Sequence, residues 1–431
     1  MTRLSHKEDD DVTNFRLLKN ARAPGWDAPR DLLIQGGKIS AVGEDLDAGG
    51  GEGGGSVIDL GGRAVIPGLV EAHTHLDKAL TLDICKNEEG TLIGAIRAMA
   101  KLKRASSAED VYRRAEACLL KFIAHGATAV RTHIDVDPSI ELRGMEAGVR
   151  LREEYRDKVT LQLVAFASGA SGSLDAPEHR DRLAEAVRMG ADVVGGAPTL
   201  ADDPKAHVDA VFDLALKTGL SLDLHVDESD DPGARALEIV AEKTMAEGYE
   251  GRVVAGHCCS LAAMDDAAAG RIIEKTARAG IAVITMPFCN LYLQGRRDAQ
   301  PVRRGITRVK ELEEAGVNIY CASDNVQDPF GPFGRADTLE AAWLTGLAAQ
   351  WDPGNLPALL DMVTGRPARP LGLGEPYGVR EGSRADLVVM DSDAADHVVI
   401  ERPARALVIR SGRIVSTGPG AGDLGIHEPE C

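Results

Sequence analysis

The run Val65-Ile66-Pro67-Gly68-Leu69-Val70-Glu71-Ala72-His73-Thr74-His75 decides how the chain is read: it opens apolar and β-branched and ends on two histidines. A short apolar run of this kind predicts a strand buried on both faces. Seven runs of the same character follow, at residues 127–135, 159–168, 191–198, 222–228, 253–258, 282–290 and 317–325. Helical patterns of ten or more residues lie between them, such as 108–125 and 177–189, the latter followed by Gly190 as a C-terminal stop. Alternating strands and helices predict a parallel sheet, and eight strands predict an α/β fold, a (β/α)8 TIM barrel, with an open doubly wound sheet of the same count as the alternative.

Outside the barrel runs, residues 32–66 read as short strands interrupted by a glycine-rich loop at 49–55, and short strands return near residues 385–390, 406–409 and 413–415. The two ends echo each other. Ile34-x-x-Gly37-Lys38-Ile39-x-x-x-Gly43 matches Ile409-x-x-Gly412-Arg413-Ile414-x-x-x-Gly418, each the pattern of a hairpin with a glycine turn. The expectation is a small composite β-sandwich domain from residues 1–66 plus 371–431, set beside a barrel of residues 67–370.

Composition bounds the function. The 431 residues carry 67 acidic and 49 basic side chains, a formal net charge of −18, which disfavours a nucleic acid polymer or an anionic membrane as partner. Hydrophobic residues at 44% and charged residues at 27% suit a globular chain, and with only 4% aromatics its core must be aliphatic. The first ten residues contain no apolar signal-like segment, and no apolar run reaches about 18 residues, so a cytoplasmic protein is expected. Seven cysteines form no C-x-x-C pair or disulfide-like spacing, which predicts reduced thiols.

Ionisable residues crowd the ends of the strands: His73 and His75, His133 and Asp135, His225 and Glu228, His257, and Asp324. In a barrel these ends share one mouth, where active sites are built. The two-residue period of a strand points His73 and His75 to the same side. With His225 and Asp324 they make a nitrogen and oxygen set suited to one divalent metal ion, zinc or iron. His133 and Asp135 are read as supports behind that set.

The segments around these residues, Glu71-Ala72-His73-Thr74-His75-Leu76-Asp77, His225-Val226-Asp227-Glu228, Gly256-His257 and Ser323-Asp324-Asn325-Val326-Gln327-Asp328-Pro329, resemble the amidohydrolase superfamily. Asn290-Leu291-Tyr292-Leu293-Gln294-Gly295-Arg296-Arg297-Asp298 and the segment 303–312 are similar to its bacterial cytosine deaminase branch, and the likeness runs from about residue 30 to residue 415. The resemblance implies metal-activated hydroxide as nucleophile, with Glu228 moving its proton, His257 stabilising the developing charge, and Asp324 acting as both ligand and proton shuttle. Strand four, Asp192 to Pro198, lacks the metal-bridging lysine of binuclear members, which implies a mononuclear site.

Two departures concern the substrate. Ser168 stands where cytosine deaminases read the pyrimidine with a glutamine, and Asn325 stands where they carry a second aspartate. Lys78 replaces a small hydroxylated residue, and Leu92, Phe166 and Phe330 align with apolar pocket residues that would flank a flat ring. The expected activity is hydrolytic deamination of a small nitrogen heterocycle, with hydrolysis of an N-substituted triazine or cyclic amide as the alternative. A non-catalytic assembly protein on the same barrel is the rival from another class. A homo-oligomer is compatible with either.

Overall fold

The computed structural model describes residues 15–48, 56–168, 174 and 176–426. The opening ten residues, the glycine-rich run 49–55 and Cys431, on which the sequence reading also drew, lie outside the described residues. Eight parallel strands follow one another in space as in sequence: Leu69–Thr74, Ala127–Asp135, Thr160–Ala167, Val193–Gly196, Ser221–Val226, Val253–His257, Ala282–Thr285 and Ile319–Cys321. The ring closes by a bridge from Thr74 to Asp324, in which the Asp324 amide donates to His73 O at 2.9 Å and Thr74 Oγ1 donates to Asp324 O at 2.7 Å. The fold is thus a (β/α)8 barrel. Every residue of the first two strands is buried, which is why they read as continuous rather than alternating apolar runs.

The helices form where caps and apolar spacing agree. Ala108–Ala124 starts where the Ser107 side chain accepts from the Asp110 amide, and buries Val111, Ala115, Leu119 and Phe122, one face of the helix, against the sheet. Glu109 and Asp110 sit in its first turn, where the helix dipole favours acids.

The run 65–75 is not one strand, which corrects the sequence reading. Val65–Pro67 pairs antiparallel with Leu387–Met390 in a separate sheet, and only Leu69–Thr74 belongs to the barrel. Gly68 makes the crossing: a Cβ there would lie 2.2 Å from Thr128 Oγ1, so no side chain fits where the chain passes between sheets. The run 282–290 likewise stops at Thr285 and turns into helix Pro287–Leu293, with proline in its first turn. Of 317–325 only Ile319–Cys321 is in the ladder.

Both ends of the chain build additional β-structure. One four-stranded sheet runs Lys38–Gly43, Arg30–Gln35, Phe15–Ala21, Ser56–Asp59, and the other Arg413–Thr417, Arg405–Arg410, Leu387–Met390, Val65–Pro67. They share one apolar core, with Leu18, Leu32 and Ile39 from one packed with Val65, Leu387 and Ile409 from the other. The echoed turns have left-handed backbone at Gly36, Gly37, Ser411 and Gly412, the requirement of a tight hairpin. They also abut, since a Cβ on Gly37 would meet Ser411 O at 3.0 Å. The strand Phe15–Ala21 has no counterpart in the sequence reading. Among the described residues no helix is long and apolar enough to cross a membrane, and the six described cysteines are free and buried.

Candidate metal centre and active site

The first strand delivers His73 and His75 to the mouth of the barrel, the fifth delivers His225, and the loop after the eighth delivers Asp324; all four are buried. His225 Nε2 lies 3.3 Å from His73 Nε2 and 3.0 Å from His75 Nε2. Asp324 Oδ1 lies 3.7 Å and 3.4 Å from the same two nitrogens. An ion with bonds of about 2.1 Å to four tetrahedral donors spaces those donors roughly 3.4 Å apart, so these separations are the edges of a coordination shell. Burial, and after it the charge of the neighbouring histidines and, at His75, Lys78, holds all three imidazoles well below their ordinary range. They are therefore neutral, the form that binds metal. Asp324 Oδ1 has no hydrogen-bond partner in the protein. Buried and convergent, with Asp324 Oδ1 unsatisfied, the four donors fit a divalent cation.

The backbone is bent to aim these groups. His257 and Asp324, neither a glycine, take left-handed backbone at φ 69° and 63°. Such conformations persist only where the surroundings impose them, and they gather at functional sites. Around Asp324 the constraint is visible: Glu71 Oε1 accepts from the Ser323 amide at 2.9 Å, while Glu71 Oε2 accepts from Ser323 Oγ at 2.6 Å and Thr338 Oγ1 at 3.0 Å. Glu71 escaped the sequence reading as a site residue, although a lone acid inside an apolar run signals a buried, fully bonded carboxyl. Asp227 also turns away from the mouth, capping the helix Ala236–Ala246 through bonds from the Ala236 and Leu237 amides at 2.9 and 3.0 Å.

Glu228 and His257 complete the reacting end. Burial, and then the charge of Asp324, pushes the Glu228 carboxyl well above the usual carboxylate range, which favours its protonated form. His257 Nδ1 lies 3.1 Å from Asn290 Nδ2 and 3.7 Å from Glu228 Oε1, while its Nε2 is buried without a partner. Burial, and next His133, holds that imidazole down at about 3, hence neutral. With the Asn290 amide donating to Nδ1, the ring proton sits on Nε2.

One pocket contains His75, His225, Asp324, Glu228 and His257, and its walls include every residue named from sequence as a substrate contact: Lys78, Leu92, Phe166, Ser168, Asn325 and Phe330. Phe166 stands 4.3 Å from the His225 ring, centroid to centroid. Asn325 is tied to Asp328 at 2.5 Å. Lys78 is buried, donating to Asp135 Oδ1 at 2.5 Å, with Asp77 farther off at 3.8 Å. Sequence reasoning missed the helix Leu92–Ala105, which puts Ile96, Met99, Ala100 and Lys103 on the pocket wall. Lys103 also pairs with Asp135 and lies 2.6 Å from Asp137 Oδ2. His133 backs the metal set, its ring stacked 3.9 Å from His73, with Nε2 3.2 Å from Asp223 Oδ1.

The model of the amidohydrolase family matches residues 56–170 and 149–416. The chain is 33% identical to the pterin deaminase of Rhizobium rhizogenes over 359 residues, 83% of this chain and 82% of the relative. Its fold matches the crystal structure of the 5-methylcytosine deaminase of Klebsiella pneumoniae liganded with 5-fluorocytosine, with a TM-score of 0.86 and 33% identity over 96% of this chain and 99% of that one. It also matches the N-isopropylammelide isopropylaminohydrolase of Burkholderia multivorans, with a TM-score of 0.80 and 32% identity over 93% and 98% of the two chains.

Proposed function

The chain belongs to the amidohydrolase family, and from that premise we propose that it is a metal-dependent deaminase of an amino-substituted nitrogen heterocycle. The observation that carries this reading is Glu228, its side chain only 11% exposed, beside a four-donor set in a pocket walled by Phe166, Phe330 and Leu92. His73, His75, His225 and Asp324 would hold one divalent ion, zinc or iron. When bound, that ion supplies a water acidic enough to act as nucleophile near neutral pH.

The protein groups then have separate tasks. Glu228, kept protonated by burial and by Asp324, gives its proton to the ring nitrogen beside the reacting carbon, which makes that carbon electrophilic. His257, neutral and with its Nε2–H unpartnered in the protein, donates to the charge that develops there. Asp324 accepts a proton that later leaves with ammonia. Phe166, Phe330 and Leu92 flank the ring and exclude water, while Lys78, Ser168 and Asn325 lie where its polar edge is read.

The catalytic unit on this reading is residues 67–370, with 1–66 and 371–431 as its β unit. The acidic charge of −18 suits a cytoplasmic enzyme acting on a free small molecule. Ammonia release from a panel of aminopyrimidines, pterins and triazines should stop on chelation and return with zinc or iron; full activity of a His73→Ala plus His225→Ala variant would sink the reading. The fold match to the isopropylaminohydrolase supports a second reading, loss of an alkylamine from a triazine, which amine analysis of the same reactions separates. A non-catalytic assembly protein would purify with far less than one metal ion per chain.

A further inference from the structure

In the pocket wall Lys78 and Asp135 set a donor and an acceptor side by side. Lys78 Nζ and Asp135 Oδ1 are 2.5 Å apart, both side chains are buried, and both line the cavity. Among the other polar walls, Asn325 donates to Asp328, and Thr199 is bonded to Asp227, whose amide donates to its hydroxyl at 2.7 Å. The Lys78 ammonium makes one hydrogen bond, to Asp135, and has three N–H groups to give. Asp135 is itself fixed, its amide donating to Asp77 Oδ2 at 3.0 Å and its second oxygen held by Lys103. The pair is therefore a rigid donor and acceptor, a little wider than the roughly 2.3 Å between O and N of an amide built from bonds of about 1.2 and 1.3 Å.

The placement is as informative as the spacing. Lys78 Nζ lies 5.7 Å from the centre of the Phe166 ring, and that ring lies 4.3 Å from His225. A flat heterocycle lying along Phe166 with one edge at the metal set presents another edge to Lys78 and Asp135, which line the same cavity. We propose that this pair reads a neutral cis-lactam edge of the substrate, a ring C=O beside a ring N–H. Lys78 donates to the oxo oxygen and Asp135 accepts from the N–H. A carboxylate or a deprotonated ring is disfavoured there, because the two ammonium groups of Lys78 and Lys103 already face Asp135 and Asp137.

This deepens the deaminase reading and rests on it for the pose, so its test is read in binding as well as in turnover. Cytosine against 4-aminopyrimidine, and pterin against 2-aminopteridine, differ by the lactam alone. The unaltered protein should prefer the oxo member by at least about 10²-fold in calorimetric affinity and in kcat/KM, since a site built around a charged hydrogen-bonding group rejects an analogue that leaves it unpaired. Lys78→Met should shrink that preference to within about tenfold while bound metal is unchanged. Were that variant not to fold, Lys78→Gln, which keeps a shorter donor, should still narrow the preference at least tenfold. A preference that survives either substitution, or no preference in binding at all, overturns the lactam reading. A Lys78-dependent preference in binding with no ammonia from any ring upholds it and overturns the reaction assigned above.

Discussion

Two polar layers lie one pleat apart inside the same barrel, and they pair their buried groups to different degrees, with Asp223 Oδ1, which faces His133 between them, itself without a hydrogen-bond partner. In the lower layer Arg131 Nη1 donates to Asp223 Oδ2 at 2.9 Å, its Nε and Nη2 donate to Gln162 Oε1 at 3.1 and 2.8 Å, and Nη2 reaches Pro370 O at 3.0 Å. Gln162 Nε2 continues to Leu371 O at 2.9 Å. Two residues further along the same strands stand His133 and His225, on the same face by strand alternation, and with them the layer of His73, His75 and Asp324. There the carboxylate oxygen aimed at the histidines finds no protein donor, and His257 Nε2 finds no partner. A barrel interior can satisfy a buried charge when the chain alone must do so. Where several unsatisfied groups converge on one pocket, a partner from outside the chain can supply the missing bonds.

The sharpest way to break the contrast is to empty the upper layer. His225→Ala should lower ammonia release by about 10⁴-fold or more, because it removes the group that holds the nucleophile's activator rather than a tuning contact. Bound metal, read by elemental analysis, should fall in parallel, while urea unfolding stays cooperative because Arg131 and Asp223 are untouched. The complementary cut is Arg131→Met. It strands the Asp223 carboxylate in the core, and breaking a buried pair from one side costs about 3–5 kcal/mol. Urea denaturation should show that loss, with turnover per folded, metal-loaded molecule changed less than tenfold. His257→Asn comes third: it removes one aimed donor and should cost about 10²–10³-fold in kcat with KM nearly unchanged. A loss confined to KM would place His257 among ordinary binding contacts.

What the sequence reveals follows the same division. His73, His75, His225, Glu228, His257 and Asp324 are legible because a barrel converts the end of a strand into a place in the mouth. Their partners are not legible, since Asp135 meets Lys103 only through packing between the second strand and the helix Leu92–Ala105, which by itself reads as an ordinary amphipathic helix. The left-handed backbone at His257 and Asp324 is invisible for another reason: neither is a glycine, so nothing local announces it. Gly68 is the reverse case, a glycine that signals a break inside an apolar run, although its cause, the Thr128 side chain, lies 60 residues away.

A third group sharpens the comparison, because Lys78, Lys103, Asp135 and Asp137 line or adjoin the mouth yet form ion pairs with one another. Burial would raise the Asp135 carboxyl, but Lys103 and then Lys78 outweigh it and hold it at about 2, below its ordinary 3.8. A carboxyl whose folded pKa is depressed binds fewer protons folded than unfolded between those two values, so its contribution to stability is complete above about pH 4 and is lost as the pH falls toward 2. The shift corresponds to about 2 kcal/mol. Chemical denaturation of the unaltered protein and Asp135→Asn should therefore show a stability difference that is flat from neutral pH down to about 4 and then shrinks by that amount by pH 2. A difference that stays constant through the acid range would mean that Asp135 is not held ionised by the lysines, and the mouth would lose its fixed acceptor beside Lys78.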